Sequence, residues 1–334
     1  MEDETMKFAV ALPQSNRVGD TAAIRDVAQA AEELGFWAVS MQDHIVFDGV
    51  WLGCGAEDDE GRNDRRTVFE QLTTFGYVAG ITSTIRLLTS VMLLPVRETI
   101  LAAKQIATLD QLSGGRMHLG IGVGLSGTDR DPQVLETLSR NATVEMAALG
   151  VDVTKRGRLA DEQLEALRRI WTDDSASYDG KLVRFKEIEV FPKPAQPGGP
   201  PILIAGNSPA ALRRTARGGY WWLPNHATPD EVAGGLAALA ESGHRPPECV
   251  LDLFWRMDNT TAGARAACRG TLENAFGDHL PVRNLVGTPD EIAARCREYR
   301  DAGVSAIEMK PVFRSVKELI GMMETLMTEV APTV

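Results

Sequence analysis

The chain is poor in cysteine, has no long apolar run and carries no excess of positive charge, and each shortage narrows what it can be. Its four cysteines among 334 residues, Cys54, Cys249, Cys268 and Cys296, lie far apart without a CxxC pair. Neither a disulfide framework nor a zinc site is expected, and no metal ligands are assigned. No apolar stretch approaches the roughly 20 residues that span a bilayer. The opening MEDETMKFAV lacks the basic start and apolar core of a signal peptide, so the cytoplasm is the expected location. Acidic residues outnumber basic ones, 46 against 35, for a net charge of −11. Nucleic acid and anionic membrane surfaces are therefore poor partners, and a small-molecule substrate is expected instead. A GxGxxG after the first strand is also missing, with LPQSNRVGD in its place. That counts against a doubly wound dinucleotide-binding sheet, the second choice of fold.

The stretch from Ile85 to Gly124 organises the rest. An apolar run at Leu87 to Leu94, broken by Thr89 and Ser90, reads as a strand buried on both faces and stopped by Pro95. Thr99 to Leu112 follows as a helix, with Gly114 and Gly115 where its end needs a left-handed residue. Met117 to Val123 is a second buried strand, ending in the alternating Gly120, Gly122 and Gly124. The two strands should lie parallel in one sheet.

The same alternation recurs along the chain. Strands are expected at Lys7 to Leu12, Phe36 to Met41, Leu87 to Leu94, Met117 to Val123, Pro201 to Ala205, Tyr220 to Leu223, Val250 to Met257 and Val304 to Met309. A helix is expected after each. Eight βα repeats in one domain of 334 residues predict a (β/α)8 barrel. Insertions follow strand two (Ile45 to Arg66, long enough for a lid) and strand four (to about Arg158, with a helix at Glu136 to Leu149), and a small hairpin over Leu182 to Phe191 precedes strand five. Barrel chemistry sits at the carboxyl ends of strands. Those ends present Gln14, Asp43/His44, Ser90 to Leu94, Gly122 to Ser126, Gly206 to Ser208, Asn225/His226, Met257/Asp258 and Lys310.

Five segments carry a family likeness: GFWAVSMQDH, TSTIRLLTSVMLLPVRETILAAKQIATLDQLSGGRMHLGIGVG, RGRLADEQLEALRRIWT, PPILIAGNSPAALRRTARGG and GTPDEIAARCREYRDAGV. In this order the chain resembles the luciferase-like monooxygenase superfamily, and within it the branch of coenzyme F420-dependent oxidoreductases. The resemblance implies a barrel that holds a deazaflavin or a flavin (FMN) at the strands' carboxyl ends. It places Asp43 and His44 beside the reactive edge of the ring. There a histidine can move a proton near pH 7 while an adjacent carboxylate orients it; without the family, the same pair reads as a loop cap. It places a non-prolyl cis peptide at Ser90-Val91, behind the ring. It also makes Gly206-Asn207-Ser208, ahead of Pro209, the cofactor-phosphate loop. The residues alone read as a helix N-cap, with Arg213 or Arg214 one turn on. Gly122 and Gly124 are expected to leave room for the ring, although alternating glycines also serve close packing.

Two departures from the family pattern stand out. Leu125-Ser126 follows GIGVG where sugar-phosphate dehydrogenases carry a catalytic acid, which argues against that activity. Gly219-Tyr220-Trp221-Trp222 stands where relatives commonly read Gly-Asp-Gly-Trp, and two large aromatics there are expected to narrow the cofactor or substrate pocket. The implied function is hydride transfer between F420 and a small organic substrate. The alternatives are an FMNH2-dependent monooxygenase that uses O2, and a non-catalytic flavin-binding barrel. A homodimer, and a flavin or F420 reductase that supplies the cofactor, complete what the resemblance implies.

Overall fold

The computed structural model describes residues 5–15, 19–46, 68–124, 143–269, 272 and 276–334. The strands are β1 (Lys7–Ala11), β2 (Ala38–Met41), β3 (Arg86–Leu93), β4 (Met117–Gly122), β5 (Ala176–Asp179), β6 (Arg184–Ile188), β7 (Ile202–Ala205), β8 (Trp221–Leu223), β9 (Val250–Met257), β10 (Leu285–Gly287) and β11 (Ala306–Pro311). The helices are α1 (Thr21–Glu33), α2 (Gln71–Ile81), α3 (Thr99–Ser113), α4 (Arg156–Thr172), α5 (Pro209–Gly218), α6 (Pro229–Glu241), α7 (Thr261–Ala267), α8 (Leu280–Arg283), α9 (Pro289–Asp301) and α10 (Val316–Thr325). Among the described residues, no helix is long and apolar enough to cross a membrane.

Nine strands form one parallel sheet in the order β10-β9-β11-β1-β2-β3-β4-β7-β8, an α/β fold in which the sheet curls. Isolated parallel bridges Trp222↔Cys249 and Asn225↔Asp252 bring β8 beside β9. The amide of Trp222 donates to Glu248 at 3.1 Å, and that of Asp252 to Pro224 at 2.9 Å. All eight expected strands are present. β10 is the one strand of this sheet that the sequence reading missed. It pairs Leu285–Gly287 with Trp255–Met257, and three residues squeezed between two helices show no periodicity.

Side-chain caps start the helices at the strands' carboxyl ends. Asp20, Glu70, Glu98, Ser208, Thr228, Thr260, Thr288 and Ser315 each accept a first-turn N–H. Each cap satisfies donors that the helix itself leaves orphaned. The two Thr-Pro-Asp-Glu starts, at Thr228 and Thr288, are full capping boxes.

Three sequence expectations need correction. The hairpin is β5 against β6, so Tyr178-Asp179 is its first strand rather than a preceding interval. The helix expected over Thr261 to Phe276 is α7, ending at Ala267, with residues 272 and 276 helical beyond it. Trp221 and Trp222 do not narrow a pocket. Trp221 meets the edge of the His118 ring at 5.5 Å, as Trp37 does at 5.3 Å, and plugs the amino end of the sheet. Trp222 points the other way, onto α6, where a Cβ on Gly235 would lie 2.2 Å from its ring. Burial pushes the sandwiched His118 imidazole down to about 4, so it is neutral near pH 7. Beyond Ile45 and Val46, the insertion after strand two lies outside the described residues, and of the one after strand four the described part starts with a helical segment at 143–148.

The sheet has two apolar sides. Ala9, Ala38, Leu88, Leu203, Leu223, Val250 and Ala306 form one cluster, contributed by seven strands, on the inner face. The larger core lies between the outer face and the helices. Between β3 and β4 the register slips from Thr89↔Leu119 to Met92↔Ile121, two residues facing one. The slip is possible because residue 120 is glycine: a Cβ there would sit 2.1 Å from the Thr89 carbonyl oxygen.

Candidate functional site

The carboxyl end of β2 runs into Asp43, which is buried at 2% exposure. Its Oδ2 accepts the Leu93 amide at 3.1 Å and Arg97 Nε at 3.0 Å, and Oδ1 accepts Arg97 Nη2 at 2.6 Å. Arg97 also donates to Glu70 Oε1 at 2.9 Å. Burial disfavours the guanidinium charge, but Asp43 and Glu70 outweigh it and raise its pKa. Asp43 therefore ties the end of β2 to the chain just past β3 through a bidentate pair. Both oxygens of this carboxylate are thus engaged by Arg97 and the Leu93 amide, and a second carboxylate faces the imidazole of its chain neighbour.

It belongs to a residue that the sequence reading left unassigned. Glu145, in the 143–148 segment, brings Oε2 to 3.2 Å from His44 Nδ1. Its Oε1 accepts the amides of Ile45 at 2.5 Å and Val46 at 3.0 Å. The Glu145 side chain is 1% exposed and that of His44 33%. Burial works against the Glu145 charge, but the histidine and the two amides hold its pKa below the ordinary value. No periodic pattern marks position 145, and 101 residues separate it from its partner.

The Ser90-Val91 peptide is cis, as the resemblance implied. The Ser90 hydroxyl is buried and finds no hydrogen-bond partner among the described residues. Gly122 does not leave open room: a Cβ on it would lie 2.5 Å from Val91 Cγ2. Val91 fills that space, so Gly122 serves the packing of β3 on β4. Gly124, with φ of 84°, adopts a left-handed turn at the edge of the described residues.

After β7 the chain turns at Gly206, with φ of 109°, a conformation that side-chain-bearing residues rarely adopt. Its carbonyl accepts the Trp222 indole N–H at 3.0 Å. Both ends of the Asn207 amide are engaged by Asn225: Nδ2 donates to its carbonyl at 2.8 Å, and Oδ1 accepts its amide at 3.0 Å. Ser208 caps α5 through the Ala211 amide, with Pro209 in the first helical position. Arg214 is committed elsewhere, to Asp161 of α4 at 2.6 Å. The loop is thus rigidly built, and its side chains are spent on the protein.

Opposite Asp43, the inner face carries a buried ionic layer. Glu308 and Asp252 are register partners on β11 and β9. Lys310 Nζ donates to Asp252 Oδ2 at 2.6 Å, Asn225 Nδ2 donates to the same oxygen at 2.5 Å, and the Ser40 hydroxyl donates to Glu308. The other two carboxylate oxygens, Glu308 Oε2 and Asp252 Oδ1, are buried with no other donor among the described residues, and one proton bridges the pair. Burial and then the Asp252 charge push the Glu308 pKa well above its ordinary value. Burial opposes the Asp252 charge as well, but Lys310 and His226 overcome it and hold the carboxyl below its usual range. Glu308 thus keeps the proton and Asp252 the charge. His226 beside them has a φ of 46° and stacks on Phe254 at 5.0 Å. Asn284 Nδ2 donates to Leu280, which turns Oδ1 toward the Phe254 amide and His226 Nδ1 at 2.8 Å. The nitrogen His226 presents to Asn284 therefore carries a hydrogen.

A pH dependence follows. A carboxyl with a raised folded pKa contributes stability that is full below its unfolded value and is lost as pH rises toward the folded one. Asp252 has the opposite sign and loses its contribution only as pH falls below the ordinary aspartate range. Glu308→Gln copies the protonated form, so its unfolding midpoint relative to the parent should climb as pH rises above the ordinary glutamate range. Thermal melts of the two proteins from that range upward test this, and parallel curves would refute the assignment of the proton.

A parallel α/β sheet with polar and ionisable groups gathered at its strands' carboxyl ends is the layout of a barrel-type enzyme. The luciferase-like monooxygenase profile matches residues 6–281. The chain belongs to that family. An uncharacterized protein of Mycobacterium tuberculosis is 35% identical over 159 residues, 48% of this chain. The match spans about half (50%) of that relative's own length. The FMNH2-dependent dimethylsulfone monooxygenase of Pseudomonas putida is 26% identical over 324 residues, covering 85% of this chain and 81% of that one. An F420-dependent secondary alcohol dehydrogenase, solved with an F420-acetone adduct, superposes with a TM-score of 0.77 over 98% or more of either chain (99% and 99%) at 16% identity, a likeness of fold. These two neighbours are named for different cofactors, FMNH2 and F420.

Proposed function

We propose that the protein is an F420-dependent oxidoreductase that moves a hydride between the deazaflavin and a small organic substrate, on a barrel closed by the β8–β9 bridges with β10 as an addition. The observation that carries this reading is the His44–Glu145 pair, a half-buried imidazole backed by a buried carboxylate at a strand's carboxyl end. Hydride transfer to or from a carbonyl or imine needs a proton moved in step, and such an imidazole can move it near pH 7.

The residues at this end fit a flavin-type ring. The buried Ser90 hydroxyl lacks a partner among the described residues, and Val91 beside the cis peptide offers an apolar wall. The start of α5, behind Gly206, offers the positive end of a helix to a phosphate. When bound, the cofactor supplies or accepts the hydride. His44 gives or takes the accompanying proton at Nε2 while Nδ1 stays against Glu145. Asp43 keeps Arg97 and the Leu93 amide in place, which fixes the wall. Asn207 holds the loops after β7 and β8 together, so the phosphate end is pre-organised.

The second reading is an FMNH2-dependent monooxygenase with a partner reductase. It is favoured by the dimethylsulfone monooxygenase relative, whose likeness covers 85% of the chain. A homodimer is expected on either reading. Fluorescence-quenching titrations separate the two. F420 should bind more tightly than FMN, and a clear FMN preference transfers the proposal to the monooxygenase.

A further inference from the structure

The two long connections, after β2 and after β4, meet at one buried carboxylate. Glu145 holds three hydrogen-bond partners at once: the amides of Ile45 and Val46 on Oε1, and His44 Nδ1 on Oε2. A carboxylate that accepts two backbone amides from inside the protein is ionised and has only acceptors to offer. The ring nitrogen facing it must therefore carry a hydrogen. That leaves Nε2 as the nitrogen whose protonation changes when the ring titrates.

We propose that Glu145 is the positioning residue of His44, fixing the neutral imidazole as its Nδ1–H tautomer and locking residues 44–46 to the segment after β4. The kinetic meaning of this rests on the reading above, in which His44 handles the proton. The tautomer itself does not.

Glu145→Gln makes the decisive variant, because an amide has one oxygen and one NH2 group. The oxygen is needed by the two amides of Ile45 and Val46. Turning it toward the ring would set NH2 against two N–H donors. The NH2 group must then face Nδ1 and donate to it, which is possible only if the ring moves its hydrogen to Nε2.

The experiment is long-range 1H–15N correlation of 15N-histidine-labelled full chain, without cofactor, with His44 assigned by its disappearance in His44→Asn. Above the titration of the ring, the parent should show His44 as Nδ1–H, and Glu145→Gln should convert it to Nε2–H. Glu145→Ala serves if the glutamine variant does not fold; it should lose the fixed Nδ1–H form and drift to the Nε2–H form that a free imidazole prefers. An Nε2–H ring in the parent, or an Nδ1–H ring that survives either substitution, overturns the proposal. A carboxylate that merely packed the two connections would leave the tautomer where it was. Once a substrate is in hand, kcat should fall about 100-fold in Glu145→Gln with KM nearly unchanged. Unchanged kcat with a switched tautomer would count against His44 as the acid–base group and leave the tautomer assignment standing.

Discussion

Asp252→Ala is expected to cost about 3–5 kcal/mol of stability, because it takes the carboxylate from a buried ammonium and removes the acceptor of two further donors. Lys310 and Asp252 are 7% and 2% exposed, and their contact is 2.6 Å. The variant leaves Lys310 without the carboxylate, Asn225 without its partner at 2.5 Å, and the Glu308 proton with nowhere to go. Set against the roughly 5–15 kcal/mol that holds a domain folded, this is a large share. The double variant Asp252→Leu with Lys310→Met makes the argument sharp. Buried ion pairs recover little more than their desolvation cost, so replacing both partners should restore most of the loss, whereas removing one cannot. Urea unfolding of the parent, the single and the double variants measures this. A double variant as unstable as the single one would show that the layer is held by something other than the pair.

His44→Ala should lower turnover by about 100-fold or more, the size of a lost general acid–base group, while cofactor affinity stays within a few-fold. The side chain is 33% exposed, so its loss opens no cavity in the core and the fold should be unaffected. The split between kcat and binding is the point of the measurement. Turnover close to the parent's would remove His44 from the mechanism, and a collapse of cofactor binding would recast it as part of the binding wall.

The barrel-like plan was legible because buried parallel strands leave apolar runs, and each helix announces itself with a cap and an amphipathic face. The polar layer was not legible as such. In VLDLFWRM the alternation reads as one wet and one dry face, yet all eight residues are buried. The polar face of β9 turns inward, onto Glu308 and Lys310 of β11. Sequence periodicity tells the two faces of a strand apart but cannot say that neither meets water. Lys310 was legible only as a strand end, and its partner Asp252 not at all.

The site shows the same division. Asp43 and His44 are adjacent in the chain, and adjacency suggested that one orients the other. A residue at the end of a strand and the next one along point to different sides, so Asp43 goes to Arg97 and His44 to Glu145. Glycines behaved similarly. Their alternation in GIGVG signals that something comes close, and for Gly122 the close neighbour is Val91 of the same protein. The two tryptophans of Tyr220-Trp221-Trp222 are one residue apart and end on opposite faces of the sheet.

Trp222 has a further consequence. Its ring is wedged against Gly235 of α6, and its indole N–H is bonded to the carbonyl of Gly206. An indole's emission responds to the charge and motion of whatever its N–H touches. The loop proposed to take the cofactor phosphate therefore comes with its own optical label, built into β8 and 1% exposed to solvent. A phosphate seated on that loop should register in the protein's native fluorescence, and no dye has to be attached to read it.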